Sequence, residues 1–140
     1  MDSNNKIDIA KDLFHKHLSK FTDPEMTKES YAALFTEDAV LEFPYAPAPY
    51  PNKVVSRESI ADYILNITQG AEDWTFKDFR FSATDDANIF FVEFEGSATV
   101  ISTGKKYKQA YISRLTLKDN LIADYREYFN PAWIIDAFVD

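Results

Sequence analysis

Among the 140 residues, the group best suited to proton chemistry is Glu127, which stands in the aromatic segment Tyr125-Arg126-Glu127-Tyr128-Phe129. A carboxyl group surrounded by rings loses hydration, its charged form is disfavoured, and its pKa rises toward neutrality, where it can both accept and release a proton. Its surroundings depend on which face of a strand it occupies. If Thr103-Gly104 is a two-residue turn, counting outward pairs Phe94 with Ser113, Gly96 with Tyr111 and Glu93 with Arg114. Phe90, Val92, Phe94, Ala98 and Val100 then share an apolar inner face with Tyr107, Tyr111, Ser113, Leu115 and Leu117, and Glu93 and Arg114 meet as an ion pair outside. A three-residue Lys118-Asp119-Asn120 loop with Asn120 left-handed pairs Leu115 with Ala123, Ser113 with Tyr125 and Tyr111 with Glu127. This register sends Glu127 inward, beside Tyr111, Tyr125 and Phe129. A two-residue loop would reverse the facing of the last strand, and the competing reading is a Glu127 paired with Arg126, Arg114 or a lysine at the sheet rim.

Other candidates are fewer. Tyr63 falls mid-helix, either as an amphipathic core residue with its hydroxyl at the edge or as a ligand contact. His17 lies on the apolar face of the first helix with Phe14, Leu18 and Phe21, as a hydrogen-bonded core histidine or a functional one, whereas His15 points away to solvent. Two histidines on opposite helix faces give no support for a metal site. There is no phosphate-binding Gly loop, no GxSxG elbow and no well-placed nucleophile, so no cofactor is expected. The stretch Pro44-Tyr45-Ala46-Pro47-Ala48-Pro49-Tyr50-Pro51 is an irregular loop, either a pocket lid carrying Tyr45 and Tyr50 or a rigid surface connection.

These groups must be positioned by helices first and strands afterwards. Ile7, Ala10, Phe14, Leu18 and Phe21 recur at helical spacing, predicting a helix from about 5 to 20. Asp23-Pro24 and Thr27 open a short second helix, and Ser56 caps a third, carrying Ile60, Tyr63, Ile64 and Ile67 and ending on a left-handed Gly70. A strand over 39–43 lies between the second and third. From Trp74 the apolar period becomes two, predicting strands over 74–82, 89–102, 106–118 and 121–129 in an antiparallel meander. Asn130-Pro131 then opens a short terminal helix. The order implies an α+β domain spanning 1–140, with its helices on one face of a curved sheet.

Composition narrows the function. With 46% hydrophobic and 27% charged residues the chain is a soluble globular type rather than a disordered one. No apolar run reaches the roughly 20 residues of a membrane helix and no secretory signal opens the chain, so no membrane role and a cytoplasmic location are expected. The net charge of −8 argues against a nucleic-acid partner, and the absence of cysteine removes disulfides and thiol chemistry. Twelve Phe and eight Tyr exceed what packing of a small acidic domain requires, pointing to a pocket for a hydrophobic small molecule.

The segments LFTEDAVLEFPYAP, SRESIADYI and LKDNLIADYREYFNP, together with the element order, resemble the SnoaL-like branch of the nuclear transport factor 2-like superfamily over nearly the whole chain. The resemblance implies a cone-like, mainly antiparallel curved sheet, three N-terminal helices closing a deep apolar pocket, and a homodimer formed through the outer sheet face. Ketosteroid isomerases of this superfamily use an Asp base with a Tyr and a protonated acid; the matching positions here look to be Phe43, Phe14 and Ser113. The REF-x-NP ending of phenazine-biosynthesis A/B proteins is similar to Arg126-Glu127-Tyr128-Phe129-Asn130-Pro131, which places their acid/base Glu on Glu127 and their partner histidine on Tyr63. The resemblance thus implies a cofactor-free isomerase, cyclase or dehydratase type of enzyme acting on a cyclic or polyketide-like molecule. Glu127 would shuttle the proton, and Tyr63, Tyr111 or His17 would orient or polarise a carbonyl. Phe14, Phe35, Phe43, Tyr45, Tyr50, Phe94, Ser113, Tyr125 and Phe129 would complete the ligand site. The alternative is a non-catalytic binding or dimeric interaction module of the same fold.

Overall fold

Apolar spacing and caps set the helices where the sequence predicts them. In the computed structural model, which describes residues 3–139, α1 runs Ser3–Thr22, α2 Lys28–Ala32, α3 Arg57–Gln69 and α4 Pro131–Phe138. Thr27, Ser56 and Asn130 each accept a backbone N–H of the first turn of α2, α3 and α4, satisfying donors that the helix itself cannot. The strands are β1 (Phe35–Glu42), β2 (Lys53–Val55), β3 (Ala71–Ala83), β4 (Ile89–Val100), β5 (Lys106–Lys118) and β6 (Leu121–Tyr128). They form one six-stranded sheet in the order β2-β1-β6-β5-β4-β3, antiparallel except where β1 runs parallel to β6. The result is the curved, unclosed α+β cone with a short C-terminal helix. The short strand β2 was not foreseen; it follows the proline loop and pairs Val40 with Val55. Among the described residues no helix is long and apolar enough to cross a membrane.

Curvature comes from bulges. In β3 the register with β4 shifts between Glu72 and Thr75 and again between Lys77 and Arg80, and Asp73 and Asp78 sit at positive φ within those gaps. Aspartate tolerates this left-handed conformation better than most side chains, and each extra residue bends the strand. Gly70, in contrast, is right-handed at φ −81, correcting the expected left-handed cap. Its N–H bonds back to Ile67 and its carbonyl accepts from Ile101, which ties the helix end to the β4–β5 loop.

Both hairpin registers differ from the sequence expectation, yet the facing survives. The β4–β5 connection is a four-residue loop, 101–104, in which Val100 bonds Lys105 and Gly104 takes φ +74. Phe94 therefore faces Tyr111, and Val92 faces Ser113. The displacement is two residues, so every side chain keeps its face. It does separate Glu93 from Arg114: Glu93 stands opposite Ile112 and Arg80, while Arg114 pairs with Asp124 at 2.9 Å. The β5–β6 turn has two residues, Asp119 and Asn120, both at positive φ. Alone this would turn Glu127 outward. The register shift between Thr116 and Leu117 leaves Ala123 unpaired, which restores the phase and sets Ser113 against Glu127 and Leu115 against Tyr125.

The core lies between the helices and the inner sheet face. Phe14, Tyr31, Phe35, Leu41, Ile60, Phe90, Val92, Leu115 and Ile122 are fully buried there. Gly96 occupies an inner position of β4 where a Cβ would lie 2.9 Å from the Phe76 ring and 3.0 Å from that of Tyr111. Gly96→Ala is expected to destabilise the fold by about 1–3 kcal/mol through overpacking. Chemical denaturation checks this, and an unchanged midpoint would remove the close approach as the reason for glycine.

Candidate active site

Between α1, α3, the proline loop and the inner sheet face lies a cavity of about 340 Å³. His17, Leu18 and Phe21 of α1, Tyr63, Ile64 and Ile67 of α3, and Ala46, Pro47 and Tyr50 of the loop form its helical side. The sheet contributes Leu41, Trp74, Phe76, Phe94, Tyr107, Tyr111, Tyr125 and Glu127, with Phe43 and Phe129 beside it. Ile134 and Phe138 of α4 complete the wall at the other end. The β4–β5 loop holds α4 there: Thr103 Oγ1 donates to the Ala137 carbonyl at 2.7 Å, and Lys105 Nζ to Asp136 and Val139 carbonyls. A cation at those terminal carbonyls complements the helix dipole.

Glu127 is the acidic group of this wall. Tyr125 Oη donates to its Oε1 at 3.3 Å, and Ser113 Oγ lies 2.9 Å from the same tyrosine oxygen. Burial pushes the carboxyl pKa up to about 7, against the smaller opposing effect of hydrogen bonding from Tyr125 and Ser113. Among the described residues no rim ion pair competes for it. Arg126 bonds Glu42 at 2.9 Å and Tyr128 at 2.9 Å, and Arg114 bonds Asp124, all on the outer face. Near neutral pH Glu127 is therefore divided between acid and base forms, as proton transfer in both directions requires.

His17 is a neutral imidazole. Burial lowers its pKa to about 3, and its Nδ1 lies 2.7 Å from Tyr31 Oη. Among the described residues the fully buried Tyr31 hydroxyl has no other hydrogen-bond partner, so its proton goes to Nδ1, which leaves the ring N–H of His17 on Nε2. Tyr63 also lines the cavity, and burial raises its hydroxyl to about 12. His15 is exposed, edge-on to Phe79. Among the described residues no group of three His, Asp or Glu side chains is placed to hold a metal ion.

Of the residues singled out in the sequence, the structure brings Glu127, Tyr63, His17, Phe43, Tyr50, Phe94, Tyr111, Tyr125 and Phe129 to one cavity. Four others do not line it. Phe14 is fully buried behind the wall, 4.9 Å from the Phe94 ring and stacked on Tyr125 at 6.4 Å. Phe35 packs under Tyr31, deeper in the core. Tyr45 is 56% exposed, with its ring against Tyr128 on the far side of the loop. Ser113 stands behind Tyr125 and reaches the site through that hydroxyl. Sequence reasoning missed Trp74, Phe76 and Tyr107 as wall residues. The spacing Trp74, Phe76, Phe79, Phe81 carried the signal, because its three-residue step marks the Asp78 bulge.

The SnoaL-like domain family matches residues 16–125. YesE, an uncharacterized protein of Bacillus subtilis, is 32% identical over 134 residues, covering 96% of this chain and 90% of its own. An uncharacterized PhzA/B-like protein of Pseudomonas aeruginosa is 34% identical over 104 residues, covering 74% and 73%. A crystal structure from Bacillus subtilis, named for a suspected isomerase activity, superposes with a TM-score of 0.84 at 31% identity, covering 99% and 96%. Sequence match, strand order and cone shape agree: the chain has the fold of nuclear transport factor 2-like proteins and belongs to the SnoaL-like domain family.

Proposed function

We propose that this protein is a small acid/base enzyme that moves a proton at carbon next to a carbonyl, in an apolar, cyclic or polyketide-like molecule held in the cavity. The observation that carries this reading is the position of Glu127: the acidic group of an aromatic wall, hydrogen-bonded to a hydroxyl and titrating near 7. A carboxyl group can carry such chemistry without a cofactor, taking the proton from one carbon and returning it to another. The aromatic walls favour a flat, ring-like substrate. His17 through Nε2–H, Tyr63 and Tyr111 are the donors available to polarise its carbonyl. The relatives named for suspected isomerase activity and for phenazine A/B likeness are consistent with this class.

The test uses 1-indanone, an apolar bicyclic ketone, in deuterated buffer. Protein-dependent exchange of its α-protons, followed by NMR, is expected. Saturable binding without any exchange would overturn the catalytic reading in favour of a non-catalytic binding module.

A second copy of this chain is the proposed partner. The outer face of β3–β5 forms a shallow cradle in which Lys77 and Lys108 alternate with Glu95 beside Trp133, which is 44% exposed. Such mixed charge around an aromatic is self-complementary across a two-fold axis. Light scattering at micromolar concentration is expected to give twice the chain mass of 16.1 kDa; a monomer mass excludes the dimer.

A further inference from the structure

The cavity has a second polar pole, built around Tyr111, which the sequence already offered as a carbonyl-polarising group, and Tyr107, which it did not. Both residues line the cavity and both are over nine-tenths buried, at 4% and 8% exposure. Gln109 Nε2 donates to Tyr107 Oη at 3.1 Å, and Tyr111 Oη donates to the same oxygen at 3.3 Å. Gln109 is itself fixed: its Nε2 donates to the Asn130 carbonyl, and its Oε1 accepts from Asn130 N, both at 2.9 Å.

Counting hydrogens gives the consequence. The two phenols have one hydroxyl hydrogen each. One of them is consumed between the rings, and the amide hydrogen of Gln109 fills a further acceptor position on Tyr107. One phenolic hydrogen is left with no acceptor among the described residues. In the observed arrangement it belongs to Tyr107; reversing the inter-phenol bond moves it to Tyr111 and leaves the count unchanged. A buried hydroxyl without an acceptor carries an uncompensated desolvation penalty, and the space beside these phenols is the cavity.

We infer that the Tyr107–Tyr111 pair is a hydrogen-bond donor subsite that selects ligands carrying an uncharged acceptor oxygen, a ketone, ester or lactone carbonyl, over hydrocarbons of the same shape. One feature favours a neutral oxygen and another an acceptor. The negative charge of Glu127 is felt at both phenols and disfavours a second anion. The Tyr107 oxygen already receives two hydrogens, so its own hydrogen is what it offers. The rings are held in place, Tyr107 by Phe138 at 5.4 Å and Tyr111 stacked on Phe94 at 4.7 Å, so the donor direction is preset. This inference rests on the proposed function to the extent that both place one molecule in the cavity, and it names the pole that would receive the carbonyl.

Two matched ligands test it: 1-indanone, labelled with ¹³C at the carbonyl, and indane. Calorimetry gives their affinities and infrared difference spectra give the bound carbonyl stretch. In the parent protein the stretch is expected below its position in an apolar solvent. In the Tyr107→Phe/Tyr111→Phe double variant it returns to that position, and the indanone-to-indane affinity ratio falls about fivefold. Each single variant keeps part of the shift, because the surviving phenol still has a free hydrogen. A parent stretch at the apolar-solvent position, or a ratio unchanged in the double variant, overturns the proposal. So does loss of the shift in Tyr63→Phe, which would assign the donor to α3; should the double variant not fold, the parent and Tyr63→Phe decide. Carbonyl shift without α-proton exchange overturns the proposed reaction and leaves this subsite standing, whereas exchange without the shift does the reverse. Binding of neither ligand counts against both.

Discussion

Replacing Glu127 by Gln is expected to lower α-proton exchange of 1-indanone by about 10²–10⁴-fold, the usual contribution of a positioned general base. Gln keeps the size and an acceptor oxygen for Tyr125 but cannot take the proton. In the parent protein the exchange rate should rise with pH through about 7 and level above it, because the deprotonated carboxylate is the reactive form. The same substitution has an opposite effect on stability. The folded pKa lies above the ordinary value of 4.5, so between roughly 4.5 and 7 the folded chain holds a proton that the unfolded chain has released. Stability from this group is therefore lost as pH rises through that window. Above it, Glu127→Gln should exceed the parent by up to about 3 kcal/mol, and below pH 4.5 the difference should vanish. Urea denaturation at pH 4 and pH 8 measures it. A variant that retains the exchange, or a stability difference independent of pH, refutes the buried-base account of Glu127.

Phe14→Ala should act on the fold and not on the chemistry. The ring is fully buried and touches Phe81 at 5.6 Å, Phe94 at 4.9 Å and Tyr125 at 6.4 Å, joining α1 to three strands. Truncating such a ring costs about 3–5 kcal/mol in lost transfer energy and residual cavity, a large share of the roughly 5–15 kcal/mol that holds a domain. Urea denaturation should show that loss. The 1-indanone affinity of the fraction that remains folded, measured at low temperature, should change little, since Phe14 does not reach the cavity. A loss under 1 kcal/mol would mean that the site collapses around the missing ring.

The sequence carried the side-chain faces better than it carried the loops. Alternation along β4 and β5 places Phe90, Val92, Phe94, Tyr107, Tyr111 and Leu115 inside, because a period of two has only two phases and one of them is apolar. Loop length has no comparable signal. Thr103-Gly104 reads as a two-residue turn, yet Ile101 is anchored to Gly70 and four residues make the bend. The expected loop at Lys118 reached the right face for Glu127 by a different count, since a shorter turn and an unpaired Ala123 have the same parity. Phe14 illustrates the limit of helical periodicity: it identifies a face toward the sheet without distinguishing a wall of the cavity from the layer behind it. The family resemblance supplied the cone and attention to Glu127; of the three N-terminal helices it set over the pocket, only α1 and α3 reach the cavity. It could not reveal the Tyr107 pole, which depends on a glutamine side chain bridging β5 to the residue before α4.

The unpaired Ala123 does for Glu127 what no side chain of the site does: one residue that pairs with nothing decides whether the carboxylate lies in the cavity or on the outer face. A frame of this kind can gain or lose its proton carrier by a single insertion or deletion, without any substitution.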